Sequence, residues 1–412
     1  MPGFTSDLAE SLAGDVLERF LRYVRIDTQS ALDGTGCPST PGQWDLLRLL
    51  HAELLELGLD DAELDGNGYL FATLPGDGPT VGVLAHVDTS PEVSGAGVEP
   101  IVHRDYDGED IALPRNGVVV PAMPDKAGED VVTASGDTLL GADDKAGIAE
   151  IMAAVAHLVA RPELPRPNLR IGFNPDEEIG AGAKLFDVER FGARCAYTFD
   201  GSTIGEIQDE TFTGAEAIVT VHGHDVHPGF AHGVMVNAVR LAGEILAALP
   251  PDRLSPETTS GRDGFVHPFT TEGGTATATI RFIVRDFEEE LLAEHVALLK
   301  RTAEEVVARH PPARLEFSSR PQYPNMRTHL EPFPEIVEHA ERAIRAEGIE
   351  PIREPIRGGT DGSLLSSMGL PTPNVFAGGH AFHSPREWVT VQDMAAAAAV
   401  VVRLAGEWAG GE

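Results

Sequence analysis

Four short apolar runs constrain this chain more than anything else in it: Thr80 to Ala85, Leu169 to Phe173, Ala196 to Phe199 and Pro373 to Phe376. Uninterrupted runs of this length suit strands buried on both faces, as in a parallel sheet. The helical stretch Lys145 to Val159 falls between the first two, which is the order of an α/β layer structure. Two helices come earlier. Ser6 to Arg25 carries Leu8, Leu12, Val16, Phe20, Leu21 and Val24 at helical spacing. A second starts at Pro41 and runs through Trp44, Leu47, Leu50 and Leu54 toward Gly58.

The middle of the chain has a different grammar. Ala215 to Val221 and Thr275 to Val284 alternate as strands, Met235 to Leu249 and Glu288 to His310 read as helices, and Ala313 to Ser318 as a last strand. That order predicts a small sheet with helices on one face. A length of 412 residues also exceeds one ordinary core. The expected architecture is an α/β domain, a mixed sheet flanked by helices, over 1–212 and 329–412. An α+β domain over 213–328 is inserted into it.

Charge narrows the partners. Acidic residues outnumber basic ones 65 to 31, for a formal net charge of −34. Phosphate binding needs clustered Lys and Arg, so nucleic acid is not an expected partner, and neither is an anionic membrane. No run approaches the roughly 20 apolar residues of a membrane span. The acidic start has no basic segment leading into an apolar run, so no secretory signal is expected. With only 2 cysteines, Cys37 and Cys195, the expected location is the reducing cytoplasm.

The chemistry sits where the runs end, since ligands of open α/β sheets bind at the carboxyl ends of the strands. The first run ends in His86-Val87-Asp88. His86 could ligate a metal through one ring nitrogen while Asp88 holds the other. Asp143 and Asp144 open a helix, as an N-cap and first-turn charge or as a carboxylate bridging two metals. The second run leads into Asp176-Glu177-Glu178, three acids that repel one another unless cations offset them. There Glu178 suits a metal, and Glu177 suits a general base that is near the metal without being a ligand. Asp200 ends the third run, as a turn former or a ligand. His380 and His383 follow the fourth and compete for one ligand role. Imidazole and carboxylate donors without thiolate suit zinc, cobalt or manganese in a hydrolytic site.

Gly-Ala-Asp-Asp-Lys-Ala-Gly (141–147), Asp-Glu-Glu-Ile-Gly (176–180) and Thr-Phe-Asp-Gly (198–201), with His-Val-Asp-Thr (86–89) upstream, resemble the aminoacylase-like dinuclear zinc peptidases. The match runs from about Phe20 to Ala405. Its most specific pieces include Val226 to Gly229, Ile283 to Phe287 and Pro355 to Gly362. The resemblance implies two zinc ions bridged by Asp143, one completed by His86 and Asp200, the other by Glu178 and His383. It implies Glu177 as general base and Asp88 as the group orienting His86. It also implies a cis peptide between Asp143 and Asp144. The inserted domain becomes a ferredoxin-like lid and dimerisation module, with His227 stabilising the developing oxyanion. Arg285, Asn325 and Arg357 look like the grip on a peptide's terminal carboxylate, for which a guanidinium fork is well shaped. The expected activity is release of the N-terminal residue from short peptides, tripeptides above all, with a homodimer through the lid. The alternative is a related dinuclear amidase, such as an N-acyl amino acid deacylase or a carboxypeptidase.

Overall fold

The computed structural model describes residues 3–409. They form two compact units, one of residues 3–209, 328–354 and 360–409, the other of 210–327 and 355–359. The segment 355–359, expected in the first domain, therefore clusters with the second unit.

The first unit is built on an eight-stranded mixed sheet. Its order is Glu63–Leu64, Leu70–Leu74, Asn168–Asn174, Thr80–His86, Cys195–Gly201, Asn374–Phe376, Glu206–Gln208, Ile352–Arg353. The four apolar runs are its centre and pair in parallel. Leu70–Leu74 joins antiparallel, and so does Glu206–Gln208. Parallel pairing brings His86, Asn174, Asp200 and Phe376 to one edge, because all four strands end there. The helix Ala142–Ala160 packs on the strands Thr80–His86 and Cys195–Gly201 and against the helices Asp7–Tyr23 and Val391–Ala409. The last helix is buried along most of its length, and Ala395 to Ala399 are each 0% exposed. A second sheet, in the order Gly379–His380, Trp388–Thr390, Val131–Thr133, Ile101–His103, carries the chain past His383.

The second unit is a four-stranded antiparallel sheet in the order Phe265–Gly273, Thr277–Asp286, Thr213–His222, Arg314–Tyr323. The helices Ala238–Ala248 and Glu289–Ala308 cover one face, where Val219, Val221, Ile280 and Phe282 meet Leu241, Ile245, Leu299 and Val306. The helix expected from Met235 begins at Ala238, because Asn237 caps it by accepting Val239 N–H and Arg240 N–H. Strand Phe265–Gly273 escapes sequence reading because it is an exposed edge strand containing Pro268, without apolar alternation.

Candidate metal centre

The four central strands lead to His86, Glu178, Asp200 and His383, and Asp143 lies at their centre. Its Oδ1 is 2.9 Å from His86 Nε2 and its Oδ2 is 3.4 Å from His383 Nε2. Each imidazole nitrogen also faces a second carboxylate. His86 Nε2 is 3.6 Å from Asp200 Oδ1, and His383 Nε2 is 2.9 Å from Glu178 Oε2. His86, Asp143 and Glu178 offer ligand atoms within 4.8 Å of one another, and so do His86, Asp144 and Asp200. Asp144 is fully buried, and its Oδ2 accepts the His86 N–H at 3.1 Å. His380 lies elsewhere, its ring stacked on Trp388 at 4.2 Å.

Local backbone delivers these groups. Regular helix begins after Asp144, since Asp143 and Asp144 have non-helical angles and the peptide between them is cis. Gly147 lets the helix touch the third strand, where a Cβ would lie 2.0 Å from Phe199 O. Asp176 and His383 both take positive φ, 60° and 56°, a region costly for a side-chain residue unless its surroundings impose it. For Asp176 the imposing contacts are visible. Its carboxylate accepts Ser39 N–H at 2.7 Å, Ser39 Oγ at 2.5 Å and Gln43 Nε2 at 2.7 Å. The three consecutive acids thus divide: Asp176 turns into the protein while Glu177 and Glu178 remain with the cluster.

Asp88 has more work than orienting a histidine. His86 Nδ1 is 3.1 Å from the Asp88 backbone carbonyl and 3.3 Å from its Oδ1. The same carboxylate accepts Glu177 N–H at 2.9 Å and Glu178 N–H at 3.2 Å. It therefore ties the first strand end to the second.

The electrostatics are those of crowded acids without cations. Burial and Asp143 push the Glu178 carboxyl up to about 7, and the same two causes push Asp200 to about 6. Burial, then Asp361, Asp200 and Glu178, hold Glu177 well above the ordinary carboxyl range. Asp143 goes the other way: burial opposes ionisation, but His383 and His86 pull it below the usual value. His383 is raised to about 11 by Asp143 and Glu178. Burial opposes protonation of His86, yet Asp143, Asp200 and Asp88 raise it well above an ordinary histidine. The surrounding carboxylates thus favour positive charge on both imidazoles. Glu178 Oε1 is buried with no hydrogen-bond partner, and such an atom is costly unless something positive meets it.

Sequence reading missed Asp361. Burial raises its carboxyl to about 7, and it accepts a hydrogen bond from Asn174 Nδ2. Its neighbours in sequence, Gly358 to Gly362, suggest only a tight turn, so nothing local signals its position beside Glu177.

The remaining expected residues belong to the second unit. Arg285 lies 5.0 Å over the Tyr323 ring and donates to Ala215 O and Val284 O at 3.2 and 2.9 Å. Arg357 lies 5.1 Å over Phe212 and donates to Gly261 O, Asp263 O and Thr259 Oγ1. The Asn325 amide accepts from Thr211 N–H and Arg327 N–H and donates to Phe287 O and Glu210 Oε1. Those four bonds fill an amide's capacity, so in this structure Asn325 braces its own unit and would have to release a partner to hold a ligand. His227 accepts Gly229 N–H at 3.1 Å, and its ring is 5.4 Å from that of Phe230, itself 80% exposed. It follows His222, which pairs with Thr277, whereas Arg285 pairs with Gly214. The eight residue steps from 214 to 222 separate the two ends of that strand by roughly 27 Å, with Arg285 beside one end and the segment leading to His227 leaving from the other.

With that geometry in hand, comparison with known proteins is informative. Residues 126–407 match peptidase family M20/M25/M40. A peptidase T of Vibrio parahaemolyticus serotype O3:K6 (strain RIMD 2210633) is 46% identical over 399 residues, covering 95% of this chain and 97% of its own. The solved aminopeptidase PepT of Bacillus cereus ATCC 10987 superposes with a TM-score of 0.76 at 24% identity, over 96% of this chain and 99% of that one. The YXEP protein of Bacillus subtilis, a dinuclear metal binding peptidase from the M20 family, gives a TM-score of 0.66 at 17% identity, over 96% and 98%. Among the described residues no helix is long and apolar enough to cross a membrane.

Proposed function

This chain belongs to peptidase family M20/M25/M40 and is an aminopeptidase of tripeptides, and we propose that it works through a pair of zinc ions held by His86, Asp143, Glu178, Asp200 and His383. The observation that carries this reading is the division of Asp143: one oxygen faces His86, the other His383, and each imidazole is backed by its own second carboxylate. The donor set fits. It offers nitrogen and oxygen without thiolate, which suits zinc and admits cobalt or manganese. The orphaned Glu178 Oε1 and the protons forced onto both histidines mark a place short of positive charge.

When bound, the cation pair activates water and polarises the scissile carbonyl. Glu177 takes the proton that water loses, at its carboxylate, and returns it to the leaving nitrogen as the carbon–nitrogen bond breaks. Asp88 holds Glu177 and Glu178 in place through their backbone N–H groups. Arg285 and Arg357 grip the carboxyl end of the peptide, which sets substrate length. His227 donates to the carbonyl oxygen as negative charge develops there. A tripeptide spans only about 10 Å, less than the roughly 27 Å of strand between the ends at which Arg285 and the His227 segment attach. That spacing supports a reading in which the two residues reach one substrate from different copies of the chain, as a homodimer through the second unit. The net charge of −34 fits short peptides as substrates, with neither nucleic acid nor membrane as a partner, and the cytoplasm completes the reading.

Product analysis on a series of di-, tri- and tetrapeptides, with zinc measured on the same sample, tests it. The expected result is two zinc ions per chain and loss of the first residue, fastest from tripeptides. Equal turnover of the N-acetylated tripeptide would instead indicate the amidase or carboxypeptidase alternative.

A further inference from the structure

Glu387 is a carboxylate 1% exposed, distant in sequence from everything it serves. Its Oε2 accepts Leu140 N–H at 2.7 Å and Gly141 N–H at 2.8 Å, and its Oε1 accepts Asp143 N–H at 3.0 Å. These donors bracket the turn that delivers Asp143. Gly141, the N-cap of the helix Ala142–Ala160, has φ 85° and offers no side-chain cap, so the first-turn donors have no local acceptor. Glu387 supplies one from across the fold. Three charge-assisted bonds on consecutive backbone segments leave the turn one arrangement, and with it the direction of the Asp143 side chain. Glu387 also lies four residues after His383, whose Nε2 is 3.4 Å from Asp143 Oδ2. One short segment therefore carries both a ligand and the clamp on its neighbour.

We propose that Glu387 is the positioning residue of the metal centre: it fixes the 140–143 turn so that the two Asp143 oxygens face His86 and His383 separately. It does not touch substrate and moves no proton. The inference rests on the reading of Asp143 as the bridging ligand. In the isosteric Glu387→Gln variant one acceptor oxygen becomes an N–H donor pointed at backbone N–H. At least one of the three bonds is then lost, and Asp143 is free to turn.

The test is zinc titration of the full-length, metal-stripped chain by calorimetry with chelator competition, for wild type, Glu387→Gln, Glu387→Asp and Glu347→Gln. Glu347 is an equally buried carboxylate outside the site, accepting Thr5 Oγ1, Ser6 Oγ and Arg403 Nε. Both Glu387 variants should bind zinc about 10–100-fold more weakly, with kcat reduced and KM for a tripeptide little changed. Glu347→Gln should lower the melting temperature and leave zinc affinity at the wild-type value. Wild-type zinc affinity in either folded Glu387 variant overturns the proposal. So does failure of both variants to fold in saturating zinc, which makes Glu387 a general brace. A wild-type chain binding fewer than two zinc ions removes the bridging role of Asp143 itself, and the positioning role falls with it.

Discussion

Replacing Glu177 with Gln should move activity and stability in opposite directions. The side chains have the same shape, so no cavity opens and the backbone bonds from Asp88 to residues 177 and 178 remain. Losing the general base removes a contribution of about 10²–10⁴ in rate, or about 2.7–5.4 kcal/mol of barrier. The gain comes from charge. In the metal-free protein burial and the carboxylates of Asp361, Asp200 and Glu178 raise the Glu177 pKa well above its unfolded value. A carboxylate raised in this way destabilises the fold increasingly as pH climbs from about 4.5 through that folded value, because the native state binds the extra proton. Gln carries no charge, so at pH 7.5 the metal-free variant should be more stable by about 1–3 kcal/mol, the usual scale for a poorly satisfied buried polar group. That is a rise of a few degrees in melting temperature. Calorimetric melting of the metal-free proteins, zinc content and single-turnover kinetics on a tripeptide read all three quantities. Wild-type turnover in Glu177→Gln refutes the base assignment, and a lower melting temperature in the metal-free variant refutes the electrostatic reasoning.

Other perturbations probe the same arrangement. Metal-free wild type should lose stability between pH 4 and 7, since Asp200, Glu178 and Asp361 have folded pKa values raised to about 6, 7 and 7, and the raised histidines extend the loss above pH 6.5. Zinc at a hundredfold excess over its dissociation constant should restore about 2.7 kcal/mol per site and flatten that slope; identical pH–melting curves with and without zinc would contradict the assignment. His339 runs the other way. Burial lowers its pKa to about 4, and it stacks on Trp408 at 4.1 Å. Its neutral form therefore stabilises the fold above pH 6.5 and loses that contribution as pH falls toward 4. Discounted for its partial exposure, the effect is about 1 kcal/mol, and it should vanish in His339→Phe, as read by melting at pH 4.5 and 7. Arg357→Lys loses the fork, so KM for a free tripeptide should rise about tenfold or more while KM for the tripeptide amide stays put. An equal rise for both would show that Arg357 only braces its own unit.

The strand ends were legible because burial on both faces leaves a local mark: an apolar run that stops at a polar residue. His86 and Asp200 each stand at such a stop, Glu178 follows the stop at Asn174 by four residues, and parallel pairing brings the three strand ends to one edge. What a carboxylate accepts from is a different kind of fact. Asp88 could be read as a partner of His86, two residues away, but its bonds to Glu177 N–H and Glu178 N–H span 89 and 90 residues of chain. Glu387 reaches back 244 to 247 residues, and nothing in Pro385-Arg386-Glu387-Trp388 distinguishes it from a surface acid. The same limit explains Asn325, whose four partners exist only once the second unit has folded, and His227, whose distance from Arg285 depends on strand register. The acids therefore sort into two kinds by what surrounds them. Those held by backbone N–H groups, Asp88, Asp176 and Glu387, build the frame, although burial and Asp143 still push the Glu387 carboxyl up to about 7. Asp143, Glu177, Glu178 and Asp200 crowd around the two imidazoles, and Asp361, held by Asn174, adds its charge beside Glu177. Such a set costs stability in the metal-free fold, and a pair of cations bound there, as proposed, would offset that cost.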